Sequence, residues 1–236
     1  MELPIAQQSY QPSADALVRA IKQADVILVR MAATETPLDG ATVYVNADRP
    51  AVRMVNCAVD VRIPEGGTAT GVFDQVVTHF DGAGTSCFSL QCNETVWPEP
   101  LAQQIEARGY RAAKSSVYLL ADYTPPDRVN PDLQVIPGRA AYPQLRDFYK
   151  QAAIEQHGAD QTTAADLAAT HIDHLDEPRS EVFFGRLADR GVGQVNLVTL
   201  GQIGVIEWLY TAAEARNQGV ATTLLAHALD HCRRAL

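Results

Sequence analysis

A cation and a glycine stand where a helix is about to begin. From Ile206 to Leu225 the sequence passes from an apolar, strand-like run through a polar turn into a helix with a small, uncharged first turn. The turn is Arg216, Asn217, Gln218, Gly219, Val220 and Ala221. A helix start leaves its first amides unpaired and carries roughly half a positive charge. Gly219 lets a ligand approach those amides closely, and Ala221 keeps the rim free of bulk. That is the physics of an anion cradle for a phosphate or pyrophosphate. It is not a nucleoside-triphosphate loop, because no Gly-Lys-Ser/Thr follows. The bland alternative is an ordinary strand–turn–helix connection with Arg216 facing solvent.

The segment resembles the acyl-CoA-binding motif of the GNAT superfamily of N-acyltransferases, Gln/Arg-x-x-Gly-x-Gly/Ala, with Arg216, Gly219 and Ala221 at its fixed positions. The resemblance implies acetyl-CoA as co-substrate, no metal, and a small-molecule or peptide amine as acceptor. It implies cofactor contacts from the strand end at Leu209 and Thr211, and from Arg216, Asn217, Gln218, Gly219, Val220, Ala221 and Thr222. Thr223 offers a further hydroxyl. A glutamate in the place of Glu207, nine residues before Arg216, removes the amine proton in many members of the family. A salt-bridged or solvent-facing strand glutamate is the competing account.

The usual general acid is a tyrosine on a helix that this chain lacks. Glu207 and Tyr210 have opposite parity in a regular strand, so Tyr210 is expected to pack on the other face. Tyr110 and Tyr118 are the remaining substitutes. A non-catalytic CoA-binding or scaffold protein is thus the alternative reading.

Positioning these residues requires a framework, and the chain divides at its prolines. Pro125, Pro126 and Pro131 interrupt regular structure, so residues 125–131 read as a linker between 1–124 and 132–236. Downstream, the pattern predicts a strand at 133–136, helices at 142–156 and 163–175, strands at 181–187, 192–200 and 204–211, and a helix at 220–234. The glycines Gly191 and Gly193 read as a hairpin turn. The order is that of the first two-thirds of a GNAT domain, an α/β fold with a mixed sheet, whose usual last strands and helix are missing. The strand at 204–211 therefore needs cover, either from the first half or from a second subunit in a homodimer.

Upstream, the pattern predicts a helix from Ser13 to Gln23, strands at 26–31, 41–45 and 51–61, a helix at 72–80, a strand at 87–91, a helix at 100–108 and a closing strand at 115–120. From Val52 this is similar to the latter part of the same fold. Its own turn, Arg62 to Gly67, contains Pro64 and Glu65, which remove a donor and add an anion. The first half is therefore expected to be a degenerate GNAT-like domain that does not bind CoA.

Composition narrows the function classes. A net charge of −9 argues against general nucleic-acid binding and favours a cationic acceptor. No apolar run approaches the roughly 20 residues that span a bilayer. Four cysteines without metal-type spacing suit reduced thiols and a cytoplasmic protein. His171 and His174, near Asp176 and Glu177, are expected on a solvated helix face rather than around a metal. His227 and His231 share a helix face but lack the Glu of a zinc-protease motif, and His231 is expected, with Arg233 and Arg234, to complement the dipole at the end of the last helix.

Overall fold

Ser13 caps the first helix, accepting a hydrogen bond from the Ala16 amide at 3.2 Å. In the computed structural model, which describes residues 12–92, 97–111, 113, 117–120 and 126–235, helix α1 runs Ala14–Ala32. The expected strand at 26–31 is its second half. The reason is burial from two sides. Ala20, Ala24 and Leu28 pack against Val198 and Val205 of one sheet. Val26 and Val29 pack with Tyr44, Cys57 and Val59 of another. A helix enclosed on both sides loses its polar stripe and reads as an unbroken apolar run.

The first sheet has the order β1-β2-β3-β4, with β1 Thr34–Leu38, β2 Ala41–Val45, β3 Cys57–Val59 and β4 Ser89–Leu90. β1 had no expectation behind it. It folds back on β2 through Asp39 and Gly40, a two-residue turn with Gly40 at φ 98°. The expected strand at 51–61 shortens to β3. Asn56 is fully buried, donates to the carbonyls of Arg49 and Val52 at 3.0 Å, and so holds the preceding residues in a turn. Helices α2 (Ala69–Gly82) and α3 (Glu99–Ala107) follow the expectations within a few residues. The expected closing strand begins at Ser115 and Ser116, outside the described residues, and Val117 to Leu120 belong to no strand. Pro125 of the expected linker also lies outside them, whereas residues 126–130 are irregular.

The second sheet is an antiparallel meander, β5 Gln134–Pro137, β6 Ser180–Leu187, β7 Arg190–Leu200 and β8 Ile203–Thr211. Helices α4 (Tyr142–His157) and α5 (Gln161–Asp173) cover one face through Leu145, Phe148 and Ile172. Helix α6 (Val220–Ala235) covers the other through Val220, Leu224 and Ala228. The β6–β7 turn is Ala188 and Asp189, both left-handed, and not the glycines. Gly191 and Gly193 lie inside β7, where a Cβ would strike the Phe184 ring and the Leu224 and Val220 side chains, respectively. They are glycines for packing.

Among the described residues no strand pairs with the free edge of β8. α1 instead lies over the β7–β8 face beside α5, and Arg49 reaches Asp173 at 2.6 Å and Thr170 at 3.0 Å. Truncating a fully buried leucine such as Leu28 to alanine would cost about 2–5 kcal/mol. The first half thus supplies cover for the second.

Candidate active site

Strand β8 carries the site, and a bulge shapes it. Tyr210 pairs with Gln194 and Glu207 with Asn196, so Trp208 and Leu209 have no partner in β7. Trp208 is left-handed, at φ 53°, an uncommon backbone for an aromatic residue. The Gln194 side-chain amide donates to the Trp208 carbonyl and fastens the bulge. The extra residue overturns the parity argument. Gln194 and Asn196 point the same way on β7, so Tyr210 and Glu207 share one face. Tyr210 does pack, against Phe148 with ring centroids 5.6 Å apart, and its hydroxyl donates to Glu155 at 2.7 Å.

Glu207 enters an open cavity of about 220 Å³ between the two halves. Asp25 of α1, Val29, Met54, Gln91 and Trp208 also line it. The carboxyl oxygen Oε1 of Glu207 is buried and has no hydrogen-bond partner among the described residues. Burial, reinforced by the charge of Asp25, pushes the Glu207 carboxyl up to about 8. Asp25 is raised too, by burial, against the hydrogen bond it accepts from Gln91. Sequence reasoning missed Asp25. The signal was an acid set between Ala24 and Val26, beside the apolar stripe of a helix.

On the other side of Trp208 lies a smaller pocket of about 100 Å³, between α4, α5 and the bulge. Tyr149, His171, Gln194, Trp208, Leu209 and Tyr210 line it. His171 stacks on Tyr149 at 4.6 Å and meets the Trp208 ring edge-on at 4.0 Å. His171 and His174 are buried, not on a solvated face. Burial, with His174 nearby, drives His171 well below the ordinary histidine range, so it is neutral. His174 falls to about 4, again through burial. Among the described residues no group of three or more His, Cys, Asp or Glu is placed to hold a metal ion. His227 and His231 sit against the Phe183 ring at 4.8 and 5.2 Å.

After β8 the chain takes one 3-10 turn, Ala213–Ala215, and reaches the cradle. Asn217 (φ 62°) and Gly219 (φ 77°) are left-handed on either side of Gln218, a backbone pattern that forms an anion-binding concavity. The first α6 amide with a backbone acceptor is that of Thr223, which donates to Gly219 at 2.9 Å. The amides of Val220, Ala221 and Thr222 have no acceptor among the described residues, as at any uncapped helix start. Residues 128–130 cross this turn beside Gly219. Asn130 donates from its side chain to the Gln218 carbonyl and from its backbone to the Thr223 hydroxyl, both at 2.7 Å.

Two expectations change here. Thr223 is engaged by Asn130 and Gly219, so its hydroxyl is not on offer. A Cβ on Gly219 would meet the Arg128 carbonyl at 3.2 Å and the Asn130 amide at 3.3 Å, so this glycine makes room for the crossing segment. Arg216 turns back to the Thr211 carbonyl at 3.3 Å, and Gln218 to the Glu214 carbonyl at 2.9 Å. Leu209 lies in the bulge, free of the β7 ladder, while Thr211 pairs with Gly193 and keeps a buried, unpartnered hydroxyl. Thr222 is in the first turn of α6.

The comparisons agree with this geometry. Residues 142–235 match the model of the acetyltransferase (GNAT) family. None of the curated proteins is a detectable match. Among solved structures the chain is similar to a GCN5-related N-acetyltransferase from Kribbella flavida, at 12% identity and a TM-score of 0.60, over 94% of this chain and 82% of that one. It is also similar to a functionally unknown conserved protein from Staphylococcus epidermidis ATCC 12228, at 14% identity and a TM-score of 0.50, over 87% and 81%. At such identities the likeness is one of fold, and in both it takes in the first half as well as the second. The match to the acetyltransferase (GNAT) family thus falls on the second half, on the stretch that holds the meander, the bulge and the start of α6.

Proposed function

We propose that this protein transfers an acetyl group from acetyl-CoA to a primary amine of a small molecule or peptide. The observation that carries this reading is the uncapped start of α6, reached directly from a bulged strand that presents a buried carboxyl. The pyrophosphate of the cofactor would rest on the amides of Gln218 to Ala221, where the helix dipole favours it. Leu209, unpaired in the bulge, has the backbone groups that can meet the pantetheine and the thioester. Bound there, acetyl-CoA supplies the activated acyl group.

Glu207 is the base. An ammonium acceptor gives one proton to its carboxylate, and the freed lone pair attacks the thioester carbonyl. The C–N bond forms, the C–S bond breaks, and the nitrogen's second excess proton ends on sulfur as the CoA thiol. A carboxyl near 8 is half-ionised close to working pH, where general bases are most effective. Only the second half binds the cofactor in this reading, and the amine acceptor lies on the Glu207 side of Trp208.

Calorimetric titration with acetyl-CoA, followed by thiol release over a panel of amines, tests the proposal. Saturable binding and amine-dependent release are expected. Binding without release for any amine would leave the non-catalytic alternative, and no binding would remove the cofactor assignment.

A further inference from the structure

The cavity between the halves has a composition that the acyl-transfer chemistry alone does not require. Its walls are apolar, with Val26, Leu28, Val29, Met54 and Val59, and into it come two carboxyls from different halves. Asp25 comes from α1 and Glu207 from β8, and Trp208 also lines the cavity. Ser89 and Gln91 are the other polar groups, and Cys57 the remaining titratable one, its thiol pushed up to about 12 by burial. Among the described residues lining it none is basic. Lys22, one turn before Asp25, is committed to the Cys92 carbonyl.

Two carboxyls facing one apolar space, with a buried oxygen that nothing satisfies, form an arrangement that costs free energy unless a cation completes it. Glu207, pushed up to about 8, holds a proton at pH 7 that a cation would displace, and burial shifts Asp25 in the same direction. We infer that this cavity is the acceptor subsite for a primary aliphatic ammonium, with Asp25 of the first half as the residue that recognises its charge. This rests on the acyl-transfer reading for its purpose, though not for its measurement. Asp25 holds the ammonium, Glu207 removes its proton, and the apolar walls take a short alkyl chain. The first half thereby keeps a part in substrate choice while contributing nothing to cofactor binding.

The test needs no acetyl-CoA. The full chain is titrated with n-butylammonium, 1-butanol and butyrate at pH 7, each in two buffers of different ionisation enthalpy. Butylammonium is expected to bind at least tenfold more tightly than butanol and to release protons into the buffer, and butyrate not to bind. Asp25→Asn should weaken butylammonium at least tenfold and leave acetyl-CoA affinity unchanged, which separates this site from the cradle. Equal affinity for ammonium and alcohol, or ammonium binding without proton release, would overturn the assignment on the wild-type protein alone. Failure of acetyl-CoA to bind while butylammonium behaves as described would instead overturn the acyl-transfer reading and leave the ammonium site standing.

Discussion

The chain contains two strand–turn–helix units of the same design, and they differ at the helix start. In the first, β3 ends at Val59, a left-handed residue follows at Asp60 (φ 54°), and a turn leads to α2. In the second, the left-handed residue is Trp208 (φ 53°), within β8, and the turn leads to α6. The α2 start is closed. Thr68 accepts the Gly71 amide at 3.1 Å, Gly67 donates to the Pro64 carbonyl at 2.9 Å, and Gly40 accepts the Arg62 amide at 2.8 Å. A Cβ on Gly67 would strike the Pro64 ring, which shows how tightly that turn is folded on itself. The strand edges differ too, since β3 is paired by β4, whereas among the described residues no strand pairs with the outer edge of β8. The lesson is that an anion site at a helix start depends less on the glycine than on what already occupies the amides. A side-chain cap and a proline turn are enough to shut it.

The comparison can be broken or sharpened by experiment. The largest effect is expected from separating the halves. Residues 129–236 expressed alone would bare Val198, Leu200, Ile203 and Val205, and size-exclusion chromatography should find aggregate. A soluble, folded monomer would show that the halves are independent. Next in size is Glu207→Gln, which keeps shape and removes basicity. Steady-state turnover should fall about 10²–10⁴-fold with acetyl-CoA affinity unchanged. In the wild type, turnover should climb with pH through about 8, where Glu207 is half-ionised, and level off above it.

A smaller and more pointed effect comes from Ala221→Asp. A carboxylate in the first turn suits the helix dipole and spares the fold, yet it repels the phosphates. Acetyl-CoA affinity should drop more than tenfold by calorimetry, whereas Thr70→Asp in the first turn of α2 should leave it as it was. Loss of affinity in both variants, or in neither, would end the contrast between the two helix starts.

The smallest effect is on thermal stability. Glu207 holds its proton more tightly folded than unfolded, where a carboxyl titrates near 4.5. Its contribution is complete below that value and is lost as pH rises through about 8. His174, depressed to about 4, acts on the other flank, losing its contribution as pH falls from 6.5 to 4. Scanning calorimetry should show the wild-type melting temperature declining by a few degrees from about pH 6.5 to 8.5, above the histidine range, and Glu207→Gln removing most of that decline.

Much of the second half was legible because its elements are regular: the bounds of β6, β7, β8 and α6 lie within two residues of those expected. The strand, turn and helix that carry the candidate cradle were legible for the same reason, following one another in direct succession. What could not be read was long-range. Two-sided burial of α1 disguises a helix as a strand. The parity of Tyr210 turns on a bulge that only pairing with β7 reveals. Gly219 answers to residues 128–130, some 90 positions away, and Asp25 gains its meaning only when α1 lies beside β8. The β1–β2 hairpin, by contrast, was announced by Asp39 and Gly40 and passed over.

Because α1 is the shared wall of two sheets, the molecule has no internal seam along which to come apart gently. Its central amides, around Ala24 and Leu28, can meet solvent only when both sheets let go. Hydrogen exchange there would then proceed by global opening, at the slowest rate in the protein, and the chain would melt in a single cooperative step. A ligand held beside α1 would slow exchange in both halves at once.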